Sequence, residues 1–279
     1  MIGLRDSRAF CARVMRVHSR SFYLSTRLLP RVKREAIEAL YAFFRCVDDT
    51  VDTGSETAPQ RRARLLHYRR DVAGLGVRSY ASCREWFPAL AAAYADFSLD
   101  VGPLAELIDG CESDLAGVDV RTTVEMEAYA RAVAGTVGRS VIPILGASDA
   151  DSLERAERLG IAMQYTNILR DVADDRAMGR NYLPLAEFPH ETASSVMRRV
   201  AAKARRYYRE ASLLQARLPN DGSRAAFLMA SSFYERILRG IEARCFDPEG
   251  SRVVVSGARK LELAARCMIT AYTGLAIIR

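Results

Sequence analysis

Two carboxylate pairs share one spacing: Asp48 and Asp52 in RCVDDTVD, and Asp171 and Asp175 in NILRDVADD. Residues four apart project from the same helix face, so each pair can offer two acids to one point. Acids on a face meant for the core are costly unless a cation compensates them. Two such helices facing each other would form a four-carboxylate pocket for hard divalent cations, which prefer oxygen ligands. Mg2+ in such a pocket usually bridges to phosphates, so the chemistry expected here is the handling of a diphosphate.

Each pair belongs to a longer polar stripe. At 100° per residue, Tyr41, Arg45, Asp48 and Asp52 fall within a sector about 60° wide. Gln164, Asn167, Asp171 and Asp175 repeat the arrangement, and both stripes have apolar flanks, such as Phe43 and Phe44 or Ile168 and Leu169. A lone DDxxD is usually a solvent-facing group; two matched stripes favour the metal reading. Four converging carboxylates would repel one another and titrate as a coupled set. Arg45 could meet a diphosphate oxygen or pair with Asp48 or Asp49. Arg170 points away from the stripe unless the helix end is distorted.

The elements that must hold these stripes are helices. Periodicity predicts them over 32–51, 60–74, 84–97, 102–116, 122–143, 151–174, 192–217, 223–242 and 257–275, with no alternating strand pattern. Breaks fall at DTGSETAPQ, GASDADS, LPNDGSR and FDPEGS, none of which reads as an interdomain linker. Thr122 or Thr123 followed by Glu125 supplies a helix N-cap. In AYARAVAGTVGRS, Tyr129, Val133 and Val137 share a face, while Ala134, Gly135 and Gly138 permit close helix approach. The expectation is one all-helical domain over 1–279.

The chain has 279 residues, 49% of them hydrophobic, and a formal charge of +7. That length can bury a large core, and the charge favours anionic ligands or surfaces. Without a zinc-finger or RNP pattern, nucleic acid is not expected as a partner. Six cysteines without a CxxC pair fit a reducing, cytoplasmic setting without structural zinc or disulfides. No signal peptide and no membrane-spanning run is expected. His18, His67 and His190 form no HExxH motif, and GxSxG is absent.

Together, HSRSFYLSTRLLP, ALYAFFRCVDDTVD, YARAVAGTVG, QYTNILRDVADD and GRNYLP resemble the squalene/phytoene synthase family, from about His18 to Lys260. The resemblance implies an all-α isoprenoid synthase fold, a helical bundle around a central cavity. It implies a prenyltransferase that joins two prenyl diphosphates head to head through a cyclopropylcarbinyl diphosphate. Asp48, Asp52, Asn167, Asp171 and Asp175 would hold Mg2+, three ions by the family pattern. Ser19, Ser21 and Arg45 would position a diphosphate, with His18 opening that motif; Phe22, Val133, Val137 and Gln164 would line the prenyl cavity. Tyr41, Tyr129 and Tyr234 would surround cationic intermediates, and Tyr182 and Arg252 map to loops of the same site.

The first expectation is condensation of two C20 geranylgeranyl diphosphates to phytoene. The small Thr26, one turn beyond Phe22, leaves room for the longer chain. The runner-up is a C15 enzyme making presqualene diphosphate, squalene or dehydrosqualene. A class I terpene cyclase and a non-catalytic assembly factor of the same fold are further alternatives. With no dinucleotide fingerprint, a nicotinamide cofactor is not expected. A water-insoluble product would favour peripheral membrane contact, although no anchor is visible, and nothing sets the oligomeric state.

Overall fold

The computed structural model describes residues 2–52, 56–77 and 81–273. The described chain is helical, and its one strand-like feature is an isolated parallel bridge between Asp119 and Asn181. In chain order the α-helices are α1 (Leu4–His18), α2 (Arg20–Thr26), α3 (Arg31–Asp52), α4 (Ala58–Ala73), α5 (Phe87–Phe97) and α6 (Gly102–Ser113). They continue as α7 (Thr123–Ala130), α8 (Thr136–Leu145), α9 (Ala150–Arg170), α10 (Val172–Ala177), α11 (Ala193–Ser212), α12 (Ser223–Ala243) and α13 (Gly257–Thr273). A π-helical turn, Arg131–Gly135, joins α7 to α8. The DTGSETAPQ break lies partly, and the predicted helix end at 274–275 wholly, outside the described residues.

One apolar core runs from Cys11 to Ala271. α3 passes through it, with Ala39, Leu40, Ala42, Phe43 and Val47 fully buried. The Phe43 ring meets the edge of buried Trp86 at 5.1 Å, a favoured aromatic geometry. α8 and α9 approach more closely than side chains would permit. A Cβ on Gly138 would lie 2.0 Å from the Ala156 carbonyl oxygen, and one on Gly160 would lie 2.1 Å from that of Ala134. The glycines are therefore the condition for this helix pair, which compensates their low helix propensity.

Local signals explain most starts. Thr122 Oγ1 accepts from Glu125 N at 3.1 Å, and Glu125 Oε2 accepts from Thr122 N at 3.2 Å, closing the expected capping box of α7. Asp149 caps α9 by accepting from Ser152 N at 3.0 Å.

Three features depart from the periodicity reading. α1 and α2 were not expected as helices. The buried stripe of α1 is only Ser7, Cys11 and Met15, set among arginines, so its apolar signal is thin. The predicted helix 151–174 breaks at Asp171, whose φ of −106° and ψ of 13° end α9 and start α10. The predicted helix 122–143 carries the π turn, which adds a residue and rotates everything after it.

Candidate active site

α2, α3, α8, α9 and α12 enclose a cavity of about 280 Å³, near the lower end for small-molecule sites of roughly 300–1,000 Å³. Its wall is almost wholly apolar. Thr26 and Leu29 lie on one side, Phe44 on α3, Val137 and Val141 on α8, Met163 on α9 and Phe227 on α12. Phe22, Tyr41, Gln164, Asn167 and Tyr234 also line it.

These residues form the polar end. The Phe22 ring lies 6.3 Å from that of Tyr41 and 5.9 Å from that of Tyr234. Phe22 therefore sits between the two tyrosines, one from each side of the cavity. Tyr41 lies beside Ser19 and neighbours Arg45 and Asp48. Tyr234 lies beside Asn167 and neighbours Arg170, Asp171 and Arg252. Through this aromatic group the two stripes read in the sequence meet at one end of one cavity. Burial, more than any neighbour, pushes the Tyr41 hydroxyl up to about 12, and burial likewise raises Tyr234. Both remain neutral phenols at ordinary pH.

The first acidic row carries its own cation. Arg45 Nη1 lies 3.4 Å from Asp48 Oδ2, and Nη2 pairs with Asp49. Burial lowers the Arg45 pKa, but the Asp49 hydrogen bond and both carboxylates hold it above the usual value. Asp52 ends α3, and its side chain lies outside the described residues. In the second row the backbone ladder survives the kink: Asp171 N donates to Asn167 O at 2.9 Å and Asp175 N to Asp171 O at 2.8 Å. The kink turns Arg170 back onto the site. Its Nε donates to Asp171 Oδ1 at 2.8 Å, and Arg252 Nε approaches the same oxygen at 2.9 Å. Arg170 thus points into the site because the helix end is distorted.

Of the four carboxylates expected to converge and repel one another, Asp48 and Asp171 each lie against an arginine. Guanidiniums meet Asp48, Asp49 and Asp171, and no three acids, histidines or cysteines among the described residues are grouped tightly enough to share one ion. The donor chemistry nevertheless fits a hard divalent cation. Asn167 Nδ2 donates to Gln164 Oε1 at 3.2 Å, leaving the buried Asn167 Oδ1 without a hydrogen-bond partner. That orphaned oxygen lies one turn from Asp171, and such an atom calls for an ion, a water or a ligand donor.

Other expected residues fall elsewhere. Tyr129 and Val133 do not line the cavity, because the π turn removes them from the face that presents Val137. Val133 packs towards α6, its Cγ1 3.1 Å from where a Cβ on Gly110 would stand. Tyr129 donates to Asp114 Oδ2 at 3.2 Å and packs against Tyr182, with centroids 4.9 Å apart and the rings tilted by 33°. Burial raises both hydroxyls, Tyr182 to about 12, with Asp114 adding to each. The loop bearing Tyr182 is pinned by Asn181 N to Val118 O at 2.9 Å and Val120 N to Asn181 O at 2.8 Å. Tyr182 also lines a small groove beside Asp175, so this second aromatic pair borders the acidic row. His18 is exposed at the end of α1. Ser19 Oγ caps α2 by accepting from Phe22 N at 3.4 Å, and half-buried Ser21 accepts from Ser25 Oγ at 3.0 Å through its carbonyl oxygen. Ala226, Ala230 and Tyr234 line the cavity at four-residue spacing, of which the sequence reading had singled out only Tyr234.

An all-helical shell around an apolar cavity, with arginine-paired acids at one end, is the architecture of the isoprenoid synthases. A crystal structure of a dehydrosqualene synthase with ligand superposes with a TM-score of 0.85 at 27% identity, covering 95% of this chain and 96% of that one. The squalene/phytoene synthase profile matches residues 15–259, and the chain belongs to that family and is a prenyltransferase. A phytoene synthase from Mycobacterium bovis is 32% identical, with 93% of this chain and 90% of the relative covered. A presqualene diphosphate synthase from Rhodopseudomonas palustris is 33% identical, with 87% and 91% covered.

Proposed function

We propose that this chain condenses two geranylgeranyl diphosphates head to head, through prephytoene diphosphate, to phytoene, and releases diphosphate. The observation carrying the proposal is the convergence of two arginine-bearing acidic rows on an aromatic end of an apolar cavity. Cationic residues stand where diphosphate oxygens would arrive: Arg45 from α3, and Arg170 with Arg252 around Asp171. Mg2+ held by Asp48, Asp52, Asn167, Asp171 and Asp175 would supply the charge that stabilises a departing diphosphate.

The chain's own residues account for the rest of the chemistry. The Tyr41 and Tyr234 ring faces can stabilise an allylic cation at the polar end, and their hydroxyls keep their protons there. The apolar wall excludes the water that would trap the cation as an alcohol. Ser19 stands beside Tyr41, and Asn167 beside Tyr234. The departing diphosphate, and not the still-protonated tyrosines, accepts the final proton, and no nicotinamide step is invoked.

The second reading is a C15 reaction ending in presqualene diphosphate, squalene or dehydrosqualene. The Rhodopseudomonas relative and the dehydrosqualene synthase structure favour it. Thr26 in the cavity wall supports the C20 choice, because a small side chain there leaves length for the longer prenyl group. Labelled C15 and C20 diphosphates incubated with the protein and Mg2+ separate the readings by product mass. A C40 hydrocarbon from the C20 substrate is expected; a C30 product only would give the reaction to the second reading.

A further inference from the structure

The chain's positive charge is concentrated at one end. Residues 1–34 contain nine basic residues and one acidic one, whereas the other 245 contain 32 basic and 33 acidic residues. The whole net charge of +7 is thus accounted for by the segment forming α1, α2 and the start of α3.

These elements turn that charge outward. Leu4, Arg5 and Arg8 of α1, Tyr23 of α2 with Arg27 just after it, and Arg34 of α3 line a groove of about 500 Å³. Arg31 lines it as well, and its two acids do not neutralise it. Five arginines face two acids there: Glu35 is shared by Arg8 at 3.2 Å and Arg31 at 2.7 Å, and buried Glu38 lies in the field of Arg34 and Arg27. Tyr23 continues the surface into a second depression with Arg16, Val17, Arg20 and Leu24. Among the described residues, Arg5, Arg16, Arg20, Arg27 and Arg34 have no carboxylate within ion-pair distance. Between them stand apolar side chains open to solvent: Val17 is 65% exposed, Leu4 40% and Leu24 39%. Arginines in excess of the acids beside them, alternating with exposed aliphatic groups, match the two layers of an anionic bilayer surface. A nucleic acid would use the cations but has no place for the aliphatic groups.

The position of α2 adds a second observation. Phe22, Ser25 and Thr26 face the apolar cavity, whereas Tyr23, Leu24 and Arg27 face the basic surface. One seven-residue helix therefore separates the cavity from that surface. We propose that the outer face of α1, α2 and the start of α3 docks on anionic phospholipid membranes, with arginines on lipid phosphates and Leu4, Val17 and Leu24 in the headgroup boundary. Docking itself does not depend on the proposed reaction; only its use, delivery of an apolar product across α2, does.

The full-length protein is sedimented with vesicles of phosphatidylcholine alone or mixed with phosphatidylglycerol, at low and high salt, and is mixed in parallel with duplex DNA. The expected result is binding to the phosphatidylglycerol vesicles alone, weakened by salt. Arg5→Glu/Arg16→Glu should lower it by roughly tenfold or more. Val17→Ser/Leu24→Ser should also lower it while leaving any DNA binding unchanged. Both variants should keep wild-type helix content and turnover; if either fails to fold, the other and the wild-type lipid dependence decide. No binding to phosphatidylglycerol vesicles, wild-type binding by both variants, or DNA binding without vesicle binding would overturn the proposal. The readout is independent of turnover, so it fails separately from the proposed condensation.

Discussion

Asp171 and Asp48 hold corresponding places in the two stripes but differ in surroundings. The Asp171 side chain keeps 18% of its surface and is held by Arg170 and Arg252, whereas Asp48 is half exposed, at 51%, beside Arg45. Replacing either with asparagine should lower Mg2+-dependent pyrophosphate release by roughly 100-fold or more, with helix content unchanged. Wild-type turnover in either variant would remove these residues from the metal-holding role. Asp171→Asn should also cost more stability, because it leaves two guanidiniums unpaired at a more buried point. Tyr41 provides a pH test. Burial favours its neutral form in the folded state, so its pKa rises from the unfolded phenol's 10.0 to about 12. Its contribution to stability is therefore complete below pH 10.0 and is lost as pH climbs towards about 12. A tyrosinate absorbance titration of wild type minus Tyr41→Phe should show one group near the upper value. A difference curve centred on the ordinary value would show that the ring is not held in the cavity wall. At this scale the stripes were legible because carboxylate, amide and aromatic types recur at helical spacing. Arg252 on Asp171 spans 81 residues of sequence, and no spacing rule carries that information.

Among the elements, α8 and α9 are packed too closely to admit a side chain at Gly138. Gly138→Ala would set a methyl group 2.0 Å from a backbone carbonyl oxygen, and backbone cannot yield as a flexible side chain does. Urea unfolding should show a loss of about 1–3 kcal/mol or more. Gly257→Ala, with no heavy atom within 4 Å of the added Cβ, should stay within about 0.5 kcal/mol of wild type. Equal stabilities for the two would contradict the close helix approach. Because Val137, Gly138, Ala156 and Gly160 all line the cavity, the first substitution should reduce turnover as well. The glycine spacing was readable as a close-packing signal, but the π turn between Arg131 and Gly135 was not. Its extra residue depends on how α7, α8 and their neighbours fit together, and it moves Tyr129 from the expected cavity face to Asp114 and Tyr182. The kink at Asp171 likewise defeated uniform 100° geometry, and with it the expected direction of Arg170.

For the whole molecule, the cavity is the product of five helices, and its depth sets which prenyl chain fits. Thr26 is buried in that wall, its hydroxyl donating to Tyr23 O at 3.0 Å. Thr26→Phe should fill the space and depress C20 turnover by roughly tenfold relative to C15 turnover, read from product masses under competing substrates. An equal fall for both substrates would show that chain length is set elsewhere. No described helix is long and apolar enough to cross a membrane, so the basic outer face of α1 and α2 is the surface through which lipid contact is proposed. From sequence alone came the helical class, the two acidic stripes, the glycine-rich packing segment and the motif order of the family. Each depends on residue type and local spacing, which a helix converts directly into a shared face. Tertiary structure decided that the stripes meet across Phe22, that Arg252 from a distant segment joins Arg170 on Asp171, and that Tyr129 lies outside the cavity wall. Those outcomes depend on how separate helices bend and pack together, and local periodicity carries no information about distances between segments far apart in the chain.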